Sequence, residues 1–168
     1  MAKIRVYKDF LIELRDFKDG SYTVAIPPSN EGGEPEPVRV DLKLDEIETA
    51  LADLEAKDIF IEDLIPLGKA LLERLLPGGT IRERFVTAVR QTTLDGGIRL
   101  RLLIRDVALQ QIPWEFAYLQ LTEGEEGRSH FMVLQPKISM IRHLAKEGPV
   151  PNLSMGDRNT MRMLAVMA

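Results

Sequence analysis

The sequence contains no cysteine among its 168 residues. This absence excludes disulfides, thiolate metal sites and a cysteine nucleophile supplied by this chain, and it fits a protein of the reducing cytoplasm. Only two histidines occur, His130 and His143. Neither has a second histidine at ligand spacing, so we interpret both as structural residues rather than zinc ligands. The sequence therefore predicts no metal site, no cofactor and no catalytic residue.

Long apolar runs are also missing. No stretch approaches the ~18–20 residues that a membrane helix needs, and the N-terminus lacks the apolar core of a secretory signal. Phosphate-binding loops of the Walker A or dinucleotide type and a nucleophile-elbow motif are absent as well. The net charge of −4 and the pI near 5.3 argue against nucleic-acid binding. These absences predict a cytoplasmic protein that binds neither membranes nor nucleic acids.

The charges are unevenly distributed along the chain. Residues 31–63 contain twelve acidic and three basic residues, whereas residues 80–108 contain six arginines and three acidic residues. Such runs usually form the solvated face of an element, and this is the interpretation we favour. The alternative is that the acidic segment forms a docking surface for a partner.

Strand patterns begin and end the chain. Two β-prone runs, 10–17 and 21–26, flank Asp19-Gly20, a sequence typical of a hairpin turn. Residues 38–42 alternate and predict a third strand. Apolar residues alternate with arginines over 98–105, which predicts a strand with one wholly apolar face. Two further strands are predicted at 131–134 and 138–141.

Helical patterns fill the middle of the chain. Apolar residues at three- and four-residue steps predict helices over 44–54 and 64–75, the first capped by Asp45 and the second carrying Pro66 in its first turn. Thr80 and Glu83 form a capping-box pattern that predicts a third helix, which Asp95-Gly96-Gly97 ends. The fold class predicted is mixed α/β: an N-terminal β-hairpin, a helical middle and then strands leading into an α/β sheet.

Pro113-Trp114-Glu115 is the most distinctive short motif. Proline at the start of a helix costs no hydrogen bond, so these residues predict a short helix. Trp114, the only tryptophan, could be a core anchor or a ring on which a ligand stacks. Because apolar residues flank it at 112, 116 and 119, we favour the core.

Four segments follow from these patterns: a β-rich region over 1–42, helices and strands over 43–144, a linker over 145–160 and a final strand over 161–168. The continuous apolar run Met163–Met167 is typical of a buried parallel strand. It could join the sheet of this domain, or it could begin a second α/β domain. In the second case its unpaired edge predicts self-association, or pairing with another polypeptide, through this run.

Residues 64–168 resemble the lead-in region of CHAT-domain proteins, which are bacterial caspase-like peptidases. The pattern consists of a helix, a strand followed by aspartate, a Pro-Trp-Glu motif with a nearby tyrosine, a charged loop, a short apolar run and a strand that ends in arginine. The corresponding positions in this sequence are Leu71–Pro77, Asp106, Pro113-Trp114-Glu115, Tyr118, Phe131–Leu134 and Ile138–Arg142. The run Arg162–Met167 is similar to the first strand of the caspase-like sheet.

The resemblance implies a three-layer α/β fold, a His–Cys catalytic dyad in the parent protein, and a role in bacterial defence by cleavage of a partner protein. This chain has no cysteine, and neither of its histidines falls in the catalytic motif, so no catalytic residue is transferred. The resemblance thus implies a non-catalytic scaffold or regulatory part of a cysteine peptidase, whose partner is a protein or the remainder of that peptidase. The alternative is a free-standing adaptor that binds a partner through the acidic helix 45–57 or a sheet edge.

Overall fold

The computed structural model describes residues 6–27, 35–43, 47–49, 52, 60–93, 95–121 and 127–144. Its centre is a five-stranded sheet of order β3-β2-β1-β4-β5. The strands are β1 (Val6–Lys18), β2 (Ser21–Ala25), β3 (Val38–Asp41), β4 (Gly96–Ile104) and β5 (Ile138–Leu144). β1, β4 and β5 run parallel, whereas β2 and β3 are antiparallel to their neighbours. The mixed α/β class predicted from the sequence is confirmed.

The hairpin formed by β1 and β2 closes as its sequence predicts. Lys18 pairs with Ser21, which leaves Asp19 and Gly20 as the two turn residues. Both have positive φ angles, 53° and 74°, as a hairpin turn of the primed type requires. The predicted third strand is present as β3, and the predicted strand over 98–105 is present as β4. The sheet therefore combines strands of the predicted β-rich region 1–42 with strands of the predicted region 43–144.

Three α-helices and three short 3₁₀ turns lie wholly within the described residues. The α-helices are α1 (Ile61–Leu75), α2 (Thr80–Arg90) and α3 (Val107–Gln110), and the 3₁₀ turns are Trp114–Phe116, Arg128–His130 and Met132–Leu134. The Pro113-Trp114-Glu115 motif thus opens a short 3₁₀ turn. Ile47–Thr49 is also helical, with Ile47 buried. Most of the predicted helix over 44–54, including Asp45, lies outside the described residues, as do 145–168 with the apolar run Met163–Met167.

Two details of the helix ends differ from the prediction. α1 begins at Ile61, so Pro66 lies in its second turn rather than its first. In α2 the N-cap is Gly79, and Thr80 is already helical, so the predicted capping box is wrong. Gly79 adopts a φ of 91°, which glycine takes without strain, and its carbonyl accepts the backbone N–H of Glu83 at 3.0 Å.

The strand predicted over 131–134 is also wrong. Phe131 forms only an isolated bridge with Tyr118, and the chain then turns through Met132–Leu134. Met132 is buried, but Val133 and Leu134 are more than half exposed. Burial in this run is thus confined to its first residues, whereas a buried strand would be covered on both faces. A run of four apolar residues is too short to distinguish a buried strand from a turn in which two side chains are buried. The strand predicted at 138–141 is confirmed and extends to Leu144 as β5.

The helices pack on one face of the sheet. Residues that alternate along β1 and β4 point to this side and are buried, among them Ile12, Leu14, Leu100 and Leu102. Phe10 meets Phe85 of α2 edge-to-face, with ring centroids 5.2 Å apart. This face therefore forms the core.

A buried tyrosine ties β2 to α1 across the same core. The hydroxyl of Tyr22 donates to the carbonyl of Arg74 at 2.6 Å, and Arg74 Nε donates to the carbonyl of Leu42. Burial raises the pKa of Tyr22, so the phenol stays protonated and keeps donating. The first β-strands and the helical middle are thus joined by buried hydrogen bonds as well as by apolar contacts.

Gly68 allows α1 to approach the Pro-Trp-Glu segment closely. Its carbonyl accepts the backbone N–H of Tyr118 at 2.9 Å. A Cβ atom on Gly68 would lie 2.6 Å from the carbonyl oxygen of Phe116 and 2.8 Å from Cβ of Tyr118. Because the first obstacle is backbone, a side chain here would push α1 away from this segment.

We expect Gly68→Ala to lower the free energy of unfolding by about 1–3 kcal/mol, as overpacking does, although alanine favours a helix by about 1 kcal/mol over glycine. Chemical denaturation measures the change. The control is Gly78→Ala, where an added Cβ has no atom within 4 Å. An alanine at 68 that left stability unchanged or raised it would contradict this close contact.

Candidate functional site

The second face of the parallel strands carries four arginines. In β1 and β4 the residues that alternate with the core positions point to this side, and in β5 the positions paired with them do so. We call these positions the arginine face: Tyr7, Asp9, Leu11, Glu13, Arg15, Arg99, Arg101, Leu103, Arg105, Ser139, Ile141 and His143. The helix contacts described above lie on the opposite side, and the arginine side chains here retain 36–60% of their exposure.

Asp9 is shared by two arginines of β4, and we call these three residues the Asp9 cluster. Arg101 Nη1 lies 2.9 Å from one carboxylate oxygen, and Arg99 Nη1 lies 3.4 Å from the other. Arg101 Nε also donates a hydrogen bond to Nε2 of His143 at 2.9 Å. Two guanidinium groups and one carboxylate leave one net positive charge.

Glu13 is shared in the same way, and with its two arginines it forms the Glu13 cluster. Arg105 Nε lies 2.9 Å from one carboxylate oxygen, and Arg15 Nη1 lies 3.2 Å from the other. The Glu13 side chain is only 8% exposed, whereas that of Arg105 is 60% exposed. A nearly buried carboxylate thus fixes two arginines of which one reaches well into solvent.

A β-bulge ends this surface at the carboxyl end of β1. The pairing of β1 with β2 shifts between Arg15 and Lys18, and Asp16 adopts a φ of 58°. Next to it lies a depression of about 480 Å³ that Phe17 and Asp106 also line. Asp106 accepts the backbone N–H of Phe17 at 3.4 Å. Asp16 Oδ2 also lies 3.4 Å from Arg15 Nε, and Asp106 lines the same depression, so acidic side chains surround the two arginines of the Glu13 cluster.

Aliphatic side chains lie among the charged residues of this face. The strand register places Leu11 and Ile141 on either side of Arg101, and Leu103 lies one step further along β4. Ile141 is 39% exposed. The arginine face therefore combines two clusters of paired charges with aliphatic side chains among them, a composition suited to contact with another protein.

The Pro-Trp-Glu motif lies in the core and not on the arginine face. Trp114 is fully buried, and its indole N–H donates to the carbonyl of Leu109 at 2.8 Å. Its ring lies edge-on to that of Tyr22, with centroids 6.3 Å apart. The interpretation of Trp114 as a core anchor is therefore favoured over a ligand-stacking ring.

Glu115 completes the motif by binding Arg142 of β5. Arg142 Nε donates to Oε1 of Glu115 at 2.6 Å, and Nη2 donates to Oε2. The same guanidinium donates to the carbonyls of Gln110 at 2.5 Å and Ile112 at 2.7 Å. One arginine thus fixes the strand β5 to the whole segment that leads into the 3₁₀ turn.

The other candidate site residues considered in the sequence analysis make contacts that stabilise the fold. His130 stacks edge-on with Tyr118 at 5.5 Å, and His143 accepts from Arg101. Gly79 precedes α2 as its N-cap. Across the described ranges, no group of three or more histidine, aspartate or glutamate side chains is placed to hold a metal ion. No helix in those ranges is long and apolar enough to cross a membrane.

Sequence reasoning identified the arginines of β4 but missed their partners. A signal for them exists, because Asp9, Leu11, Glu13 and Arg15 alternate with apolar Phe10, Ile12 and Leu14, which indicates that one face of β1 is charged. The pattern does not indicate that β1 pairs in parallel with β4. This pairing aligns the acidic residues of β1 with the arginines of β4.

Comparison of the chain with protein-family models, with curated proteins and with solved structures found no match in any of the three. The likeness to CHAT-domain proteins therefore stays a prediction that rests on the residues quoted for it.

The contact between Glu115 and Arg142 predicts a pH dependence. Burial alone would raise the pKa of Glu115, but hydrogen bonds and the charge of Arg142 outweigh burial and lower the pKa. A lowered pKa in the folded state stabilises the fold above the ordinary glutamate pKa of about 4.3, and this stabilisation is lost as the pH falls through the lowered value.

We therefore expect Glu115→Gln to lower the free energy of unfolding by roughly 1–2 kcal/mol at pH 7, because both side chains are partly exposed. The difference from the unmodified chain should shrink in the acid range below pH 4. Denaturation at pH 7 and at pH 3 measures it, with Glu36→Gln, an exposed position before β3, as the control. A difference that is equal at both pH values would contradict the proposed contact.

Proposed function

We propose that this chain is a non-catalytic scaffold part of a CHAT-like cysteine peptidase of the cytoplasm, and that its arginine face packs against another part of that peptidase. One observation carries the proposal: β1, β4 and β5 form a parallel sheet, and among the described residues the arginines of its second face remain 36–60% exposed. Parallel strands occur almost always in sheets covered on both faces, because their crossover connections place elements on each side. An exposed face of this kind calls for a covering layer.

The contact between Glu115 and Arg142 supports the peptidase part of the proposal. These residues come from two separate pieces of the resemblance, the Pro-Trp-Glu motif and the strand that ends in arginine. The structure brings them together in a two-point ion pair. Their co-occurrence thus has a physical reason, because the carboxylate of Glu115 accepts two hydrogen bonds from the guanidinium of Arg142.

The scaffold role also agrees with the chemistry of the two clusters. Asp9 and Glu13 each accept hydrogen bonds from two arginines, so their oxygens are engaged in contacts within the sheet. The clusters are therefore suited to recognition. The parent protein would supply the His–Cys dyad and would cut a protein substrate, in the defence role that the resemblance implies.

The second candidate is a free-standing adaptor, favoured by the sheet edges. Within the described residues β3 and β5 are the edge strands, and edges can pair with another chain. Such an adaptor would meet its partner at an edge or through the acidic helix 45–57, which lies mostly outside the described residues. The two candidates differ in the surface that is in contact with the partner.

A photo-crosslinking amino acid introduced in place of Ile141 distinguishes the scaffold from the adaptor in the native host. The Ile141 side chain is suited to this test because it is exposed on the arginine face. We expect cross-links, mapped by mass spectrometry, to a region that carries the His–Cys dyad of a caspase-like peptidase, in the same polypeptide or in a second one. The control has the same group at Glu83, on the exposed side of α2.

Equal cross-linking from both positions, or from Arg39 at the β3 edge alone, would favour the adaptor. Peptide hydrolysis by the purified chain that disappears when one of its own residues is changed would overturn the scaffold role.

A further inference from the structure

We infer that two copies of this chain pair through the outer edge of β3. The two β3 strands would run antiparallel about a two-fold axis and continue the sheet from one copy into the other. This edge is separate from the arginine face, so the inference does not depend on the proposed function. The backbone groups of β3, the order of its charges and the ends of the strand all fit a second copy.

The outer edge of β3 has backbone groups that no other described strand binds. β3 lies at the end of the sheet order and pairs with β2 on its inner side. The N–H of Leu42, the residue after β3, donates to the carbonyl of Gly20 at 2.8 Å. Backbone groups of successive residues point alternately to the two sides of a strand, so Arg39 and Asp41 direct their N–H and C=O groups outward. These two residues can therefore bind a further strand.

The charges of β3 are self-complementary in the proposed arrangement. A two-fold axis beside Val40 places Val40 opposite its own copy and Arg39 opposite Asp41 of the second copy. In this register Arg39 and Asp41 form hydrogen-bonded pairs, in which the two residues exchange both backbone hydrogen bonds. Opposite charges directly across two antiparallel strands stabilise the pairing, whereas like charges there destabilise it. The register that satisfies the backbone thus also pairs the charges.

The charges of Arg39 and Asp41 are not neutralised within the described part of the chain. Both residues are exposed. Arg39 donates from Nε and Nη2 to the hydroxyl of Ser21, at 2.9 and 2.6 Å, and from Nη2 to the carbonyl of Lys18 at 3.3 Å. These acceptors are uncharged, and they leave the two donors of Nη1 for a carboxylate. The arginines of the arginine face already have acidic partners, so Arg39 differs from them in this respect.

The ends of β3 limit the pairing to a short ladder in one register. Pro37 directly precedes the strand and has no N–H to direct outward. Lys43 follows it with a φ of 48°, which ends the extended backbone. Between them Val38 and Val40 are partly buried against the core, and a second Val40 would extend this apolar contact. So small a contact predicts a weak dimer.

The order of the charges favours a second copy over an unrelated strand. Charged side chains on an edge usually hinder pairing with other chains, so a partner needs the opposite charges in the opposite order. β3 itself has them. The other edge strand, β5, does not: its one arginine, Arg142, already binds Glu115, and it contains no carboxylate to place opposite a cation.

Charge reversal at the two positions tests the inference. Arg39→Asp gives a strand with two acids and Asp41→Arg a strand with two arginines, so in each variant like charges face each other across the axis. Sedimentation equilibrium of the full chain over a range of concentrations measures the dissociation constant. We expect the unmodified chain to self-associate and either reversal to raise the dissociation constant about tenfold or more, the equivalent of about 1.4 kcal/mol. An equimolar mixture of the two variants should associate again, because opposite charges then face each other.

Glu83→Arg is the matched control. It changes the charge by the same amount as Asp41→Arg, but on the exposed side of α2, and should change the dissociation constant by less than twofold. Thermal unfolding checks each variant, and association in the mixture shows that both variants are folded. Removal of residues 161–168 separates this edge from the self-association predicted for Met163–Met167, and should leave the dimer intact.

Four results would overturn the inference: a monomer at every concentration, self-association that both charge reversals leave unchanged, a loss in both variants that mixing does not restore, or a loss on removal of residues 161–168. Each of these results leaves the proposed function intact, because that proposal concerns the arginine face.

Discussion

The parallel pairing of β1 with β4 is the constraint on which the other features depend. It runs from Val6 with Gly96 to Leu14 with Ile104 and places the longest strand of the fold at the centre of the sheet. On one side the alternating apolar residues of both strands form the core with the helices. On the other side the same register aligns Asp9 and Glu13 with the arginines of β4. A shift of one residue would exchange the two faces and place arginines in the core.

The Pro-Trp-Glu segment shows how the second half of the chain is fixed to this centre. Trp114 packs in the core with its ring edge-on to that of Tyr22 of β2, and Arg142 connects β5 with Glu115 and with the carbonyls of Gln110 and Ile112. Gly68 allows α1 to lie against the same segment. Apolar burial supplies most of the stability, and these polar contacts define the positions of β5 and α1 relative to each other.

Much of the fold could be predicted from local patterns. The Asp19-Gly20 turn, the alternation along β4 and the helical stripe of α1 are each determined by neighbours in sequence, and each is present. The predictions that failed concern ends and short runs: the cap of α2 depended on the φ angle of Gly79, and residues 131–134 were too few to separate a strand from a turn. The site depended on long-range pairing. The arginines were visible in the sequence, but their alignment with Asp9 and Glu13 follows from a register between strands about ninety residues apart, as the hydrogen bond between Arg101 and Asp9 illustrates.

The central claim is that one face of β4 is accessible and the other is buried in the core. The absence of cysteine allows a direct test, since a single introduced thiol has no competitor in the chain. Arg101→Cys and Leu102→Cys place a thiol on adjacent residues of opposite faces, and the rate of reaction with a thiol reagent under native conditions measures access. The account predicts rapid modification at 101 and protection at 102 until the chain unfolds. Equal protection at both positions in the folded, isolated chain would contradict it.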